Sequence, residues 1–499
     1  MNLVSPLSLS ADRRRWVTLA VVCLAQLMIV LDVTIVNVAL PSIQRDLHFS
    51  QANLSWVVNA FLVTFGSLLL LAGRLGDLAG RKRVFLVGLT VFTLASLLCG
   101  LAPTQGLLIG ARFVQGIGAA AQASVILAII VTEFAAPAER ARAMSAYVFV
   151  SVAGGSLGLL AGGILTQALS WHWVFFVNLP IGAATFALGQ GLIRRDDALG
   201  LSHGVDWLGS LLVTTSLMSA IYAIVGATRH GWGSVTVFAF GGLAAVLMAA
   251  FITLETRIEN PIMPLRILRV RGLVNASLVR GLLVTGMYST FFLGTLYLEH
   301  VRHYGALQTG AAFLPWTLTV AILSRGITAA LVRRFGPLAV LTTGMAVAVA
   351  GLYLFSTVGA HTAYFPTIFL ANFVLGLGIG NAFMPLLTLA MEDVPAADAG
   401  LGSGITNVSQ QIGGALGLAV LSTVATNDTK SLLSSHHGLT TSLISGYHLA
   451  FLVATGATVV AIVLAFWLLT PRSGRPELQL ADDEPIPALA DFELEHQAA

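Results

Sequence analysis

A single carboxylate, Asp32, lies inside the first long apolar run of the chain, Trp16 to Pro41, in the phrase LDVTIVNVALP. A charge that deep in a hydrocarbon-spanning segment costs a few kcal/mol or more unless it is paired, neutralised or facing water. The chemistry open to it is reversible proton uptake. A cation at the same level would hold it ionised, and Arg112, in RFVQGIGAAA, is the candidate. Asp32 lies nine residues before Pro41, roughly 13 Å below the outer end of its segment at the helical rise. Arg112 lies seven residues after Gln105, roughly 10 Å below the same face. In a low dielectric the arginine stays charged while a carboxylate can gain or lose a proton, so the pair can alternate between ion pair and neutral acid as water reaches it. The alternative is a permanent bridge that ties two helices together.

Other residues offer weaker chemistry. In the loop GRLGDLAGRKR, Gly73 and Gly80 permit a tight reversal, Asp77 can cap a helix start or pair with a base, and Arg81, Lys82 and Arg83 hold the loop on the cytoplasmic side. Gly154, Gly158, Gly162 and Gly163 give one segment a small-residue face that lets helices approach closely. Met287, Tyr288, Phe291, Phe292 and Tyr297 on one segment, and Phe383 and Met384 on another, suit a pocket for varied lipophilic ligands or plain helix packing. Asn372 stands where the repeat described below puts Arg112, and it joins the candidate pocket. Glu299, at an outer helix end, either attracts cationic ligands or is solvated. Arg280 and Arg325 are expected to snorkel to the cytoplasmic face rather than neutralise an acidic ligand. Cys23 and Cys99 fall in apolar runs and imply neither a disulfide nor a zinc site. His436 and His437 lack a Cys or carboxylate cluster nearby, so no metal is expected.

The elements that must position these residues follow from composition. With 56% hydrophobic residues, 10% charged residues and a mean hydropathy of +0.86, the 499-residue chain reads as an all-α polytopic membrane protein. Continuous apolar runs exclude a barrel, whose strands alternate in polarity. Fourteen spans are expected, the first over 16–40 and the last two over 400–425 and 446–470, with a polar outside loop from Asn427 to Tyr447. Only Arg45, Arg229, Arg302 and Lys430 fall in outside loops, and this bias puts both termini in the cytoplasm.

Short phrases recur about 260 residues apart, a sign of two repeated halves. ARFVQGIG at Ala111 returns as ANFVLGLG at Ala371, and GGSLGL at Gly154 returns as GGALGL at Gly413. The basic turn ending in Gly80 has an echo, VRRFG, ending in Gly336. The division that results is a cytoplasmic N-terminus (1–15), a six-helix bundle (16–193), an inserted helix pair (194–271), a second six-helix bundle (272–470) and a disordered acidic tail (471–499).

In this setting the 73–83 loop resembles the signature loop of the major facilitator superfamily. LDVTIVNVALP, RFVQGIGAAA, WHWVFFVNLPIG at Trp171, DWLG at Asp206, NPIMPLRI at Asn260 and GITNVSQQIGGALG at Gly404 are similar to motifs of its fourteen-helix drug:proton antiporters of the EmrB/QacA type. The resemblance implies a proton-coupled exporter of lipophilic or amphipathic compounds in the cytoplasmic membrane, acting as a monomer. It implies proton coupling at Arg112 and an antiporter motif at Gly154, Gly158, Gly162 and Gly163, with Leu159 where the motif has proline. A symporter, a metabolite transporter and a non-transporting sensor are the competing readings. No nucleophile constellation, metal motif or nucleotide loop points to an enzyme, to a cofactor or to ATP-driven transport. The energy source implied is the proton gradient; the partners are lipid, protons and a small lipophilic molecule, not nucleic acid.

Overall fold

The computed structural model describes residues 11–49, 54, 56–194, 206–258, 261 and 263–470. The expected disordered tail, 471–499, lies outside the described residues. Among those described there is no strand, and fourteen helices are long and apolar enough to cross a membrane. In chain order they are α1 (Ala11–Asp46), α2 (Trp56–Ala79), α3 (Arg81–Gly100), α4 (Gln105–Glu133), α5 (Pro137–Ala168), α6 (Trp173–Leu192) and α7 (Trp207–His230). Then come α8 (Val235–Glu255), α9 (Arg271–Val301), α10 (Leu307–Phe335), α11 (Pro337–Phe355), α12 (Tyr364–Met391), α13 (Ala399–Ser434) and α14 (Leu439–Leu469).

Local chemistry sets several of the helix starts. The side chains of Thr104, Asp206 and Ser234 accept from the backbone N–H of Leu107, Gly209 and Val237, and Pro137 and Pro337 open α5 and α11. The turns α2–α3 and α10–α11 each reverse on a glycine with positive φ, Gly80 at 98° and Gly336 at 81°, a conformation that costs any residue with a Cβ.

The packing repeats with the sequence. α5 lies along α1 and α13 along α9; α4 packs against α3 as α12 does against α11. Small residues likewise bring α4 against α2 and α12 against α10. A Cβ at Gly116 would stand 2.6 Å from the Phe61 carbonyl oxygen, and one at Gly376 would stand 2.8 Å from that of Trp316, closer than real Cβ atoms come. The halves meet where α13 packs on α2 and α4 and where α5 packs on α10 and α12. α7 packs on α8, α2 and α13.

Two expectations change. The polar stretch Asn427 to Tyr447 is mostly helix: α13 runs on to Ser434 and α14 starts at Leu439. Ser, Thr and Asn side chains there satisfy carbonyls within the helices, as Thr429 does with Ala425. α1 likewise extends past the expected 16–40 at both ends.

Candidate functional site

Asp32 of α1 and Arg112 of α4 form a direct ion pair, sealed at 0% and 1% exposure. Three further neutral side chains complete the cluster. Gln115 Nε2 donates to Asp32 Oδ1 at 2.8 Å and to Ser96 Oγ at 2.8 Å, and its Oε1 accepts from Arg112 at 2.7 Å. Asn178 of α6 donates to Asp32 Oδ1 at 3.5 Å. Arg112 Nε donates to the Val57 carbonyl at 2.8 Å, and the guanidinium lies 4.5 Å from the centre of the Phe61 ring. Arg112 is the one charged partner of Asp32 in the cluster, and the amides of Gln115 and Asn178 donate to the carboxylate as neutral groups. Protonating Asp32 therefore frees one buried guanidinium edge and weakens the tie between α1 and α4.

Gln115, Ser96 and Asn178 escaped the sequence reading because neutral amides and hydroxyls in apolar helices carry no obvious cost. Gln115 had a signal: it lies three residues after Arg112, on the same face of a helix. In the second half Asn372 takes the Arg112 position, and its amide donates to the Ile368 carbonyl of its own helix at 3.1 Å.

At the face carrying Arg81 and Arg83, Asp77 does what a loop acid can do best. Its oxygens accept the backbone N–H groups of Gly400 and Leu401, both at 2.9 Å, at the start of α13 in the other half. The positive end of α13 thus meets a buried carboxylate, which also holds Arg81 at 3.1 Å. Gly73 matters here through its missing side chain, since a Cβ would meet the Gly400 carbonyl carbon at 3.1 Å. Lys82 turns elsewhere and donates to the carbonyls of Gln190 and Ile193 at 2.6 and 2.7 Å. Asp398, not foreseen, bridges Arg74 at 3.7 Å and Arg266 at 3.0 Å.

The α5 glycines aim at the helix that carries Asp32. Cβ atoms at Gly154, Gly158 and Gly162 would strike Val30, Thr34 and Ile35 of α1, and Gly163 is buried beside them. α5 runs unbroken through Leu159. In the second half Gly413 and Gly417 press on Gly281 and Thr285 of α9 in the same way.

The candidate pocket residues divide. Phe291 stacks on Trp316 at 4.7 Å and lies tilted against Phe313 at 5.2 Å, and it faces Gly155 of α5 across the junction. Tyr288 is joined to Gln410 and Gln411 of α13. Phe383 lies under the Arg280 guanidinium at 5.2 Å. Met287 and Met384 are buried in the same core. Tyr297 stands apart, donating to the Gly359 carbonyl at 2.9 Å, and Glu299 is half-buried at the far end of α9. Arg325 is exposed, whereas Arg280 does not snorkel: it is 1% exposed and held by the Thr406 carbonyl and the Gln410 side chain.

The helices pack alike in two halves, and one half holds an ion-paired acid inside it, the frame of a membrane transporter. The family model of the Major Facilitator Superfamily matches residues 22–418, and the chain belongs to that family, in its fourteen-helix form. The chain is 40% identical over 470 residues to a puromycin resistance protein of Streptomyces alboniger, covering 93% of each chain. It is 36% identical over 445 residues to a cephamycin export protein of Amycolatopsis lactamdurans, covering 88% of this chain and 91% of that one. A tetracenomycin C resistance and export protein of Streptomyces glaucescens is 29% identical over 95% of both. Among solved structures, a human organic anion transporter superposes with a TM-score of 0.64 at 16% identity, covering 92% of this chain and all of that one, which is a likeness of fold.

Proposed function

We propose that the chain is a proton-coupled exporter of lipophilic or amphipathic drug-like compounds, working by alternating access in the cytoplasmic membrane. The observation that carries this reading is the sealed Asp32–Arg112 pair, in a chain whose relatives are named for resistance and export. A proton arriving from outside neutralises Asp32 and releases Arg112. α1 then loosens from α4 while staying locked to α5 through the glycine face, so the change reaches the junction that α5 makes with α10 and α12. The Asp77 clamp on α13 opens as the halves rock, and the compound is exchanged between faces. Both termini lie in the cytoplasm, the protein works as a monomer, and its energy source is the proton gradient, with no cofactor and no nucleic-acid partner.

A second reading, uptake on the same fold, is favoured by Leu159, which leaves α5 unbroken where the antiporter motif has proline. A metabolite carrier and a ligand sensor without flux are weaker alternatives. The deciding experiment is an accumulation screen over lipophilic cations and neutral antibiotics, puromycin among them, in cells making wild-type or Asp32→Asn protein. Export predicts lower accumulation with the wild type, abolished by a protonophore and by the substitution. An outside-acid gradient that loads cells with substrate instead supports uptake.

A further inference from the structure

Most of the well-buried arginines among the described residues stand beside an acid. Arg112 has Asp32, Arg81 has Asp77 and Arg74 has Asp398. Arg280 does not. It is 1% exposed, and no carboxylate among the described residues comes within ion-pair distance of it. Its Nη1 donates to the Thr406 carbonyl at 3.2 Å and its Nη2 to Gln410 Oε1, while its Nε is buried with no partner. Buried charges are ordinarily paired, because an uncompensated one carries a large desolvation penalty.

The surroundings fit a ligand that would supply the missing charge. Arg280 sits on α9 at the junction of the halves, and the phenol of Tyr147 on α5 faces it from the other half. Tyr288 lies within reach of Gln410 Nε2, at 3.3 Å, so the polar groups converge. Three turns along α9 the aromatic shelf of Phe291, Phe313 and Trp316 begins, and Phe383 lies under the guanidinium. A cation with hydrogen-bond partners at one end and stacked rings at the other matches an aromatic compound bearing an acidic group.

We infer that Arg280, with Tyr147 and Gln410, forms a subsite for the anionic group, a carboxylate or sulfonate, of the transported compound. The inference rests on the exporter reading and adds to it the charge of the compounds preferred. Bound at Arg280, the anion touches α5 of one half and α9 and α13 of the other, so it bridges the surfaces that separate when the halves rock.

The test uses the full chain in lipid nanodiscs and two probes with one ring system, anionic 1-anilinonaphthalene-8-sulfonate and neutral N-phenyl-1-naphthylamine. Wild type binds both saturably above empty nanodiscs. Arg280→Gln weakens sulfonate binding by about tenfold or more, as loss of a charge-assisted hydrogen bond requires, and leaves the neutral probe unchanged. Arg280→Lys falls between. Gln410→Glu, which keeps Arg280 and gives it an internal acid, also expels the sulfonate and spares the neutral probe. Equal sulfonate affinity in wild type, Arg280→Gln and Gln410→Glu overturns the subsite, as does parallel loss of both probes or no saturable sulfonate binding by wild type. If the neutral probe is still exported in those cases, the exporter reading survives. If sulfonate binding depends on Arg280 but neither probe is transported, the exporter reading falls and the subsite stands.

Discussion

Asp77 and Gly400 stand 323 residues apart in the chain and share a hydrogen bond of 2.9 Å, by which an acid of α2 caps α13 of the opposite half. Leu401 repeats the contact with the second carboxylate oxygen. The arrangement combines an N-cap with a charge at a helix dipole, and it exists only while the two halves are closed at this face.

Asp77→Asn therefore weakens closure at this face by about 1–2 kcal/mol. The reporter is a cysteine at Ser403, whose side chain is fully buried in α13. Its labelling by a membrane-impermeant maleimide in everted vesicles is expected to rise roughly 5- to 30-fold over the same reporter with Asp77 intact. Cys23 and Cys99 are buried and remain in place. Unchanged labelling would mean that the clamp does not control the opening.

Arg112→Ala orphans a buried carboxylate and is expected to cost about 3–5 kcal/mol of stability. Melting in detergent reads the loss as a lowered midpoint relative to wild type. Adding Asp32→Asn removes the stranded charge, and the double variant should recover part of that midpoint; a double variant that melts no higher than Arg112→Ala alone would mean that the stranded carboxylate is not the source of the loss.

The fold was legible to the extent that it rests on regular geometry. Counting helical rise put Asp32 and Arg112 at one level, and they are bonded. The recurrence of ARFVQGIG as ANFVLGLG anticipated Gly116 and Gly376 packing alike in the two halves. Arg280 was misread because depth along one helix cannot say whether a long side chain points to water or into a junction. The Gly400 and Leu401 partners of Asp77 were hidden because backbone N–H groups have no sequence signature. The polar end of α13 looked like a loop because its hydroxyls and amides resemble those that face water.

A Cβ at Gly158 would collide with the Thr34 side chain of α1, two residues from Asp32. Gly158→Ala is expected to cost about 1–3 kcal/mol of stability and to reduce transport by displacing α1. Gly191→Ala is the matched control, with nothing within 4 Å of its Cβ, and it should leave melting and transport as they are. Equal effects of the two substitutions would remove the glycine face from the coupling path.

In the proposed mechanism Asp32 carries the proton exchanged for the compound. In everted membrane vesicles acidified inside by respiration, adding N-phenyl-1-naphthylamine should release protons through the wild type, seen as recovery of a quenched acridine dye. Asp32→Asn, present at the same level in the membrane, should give no recovery. Proton release by that variant equal to the wild type would mean that the proton is carried elsewhere.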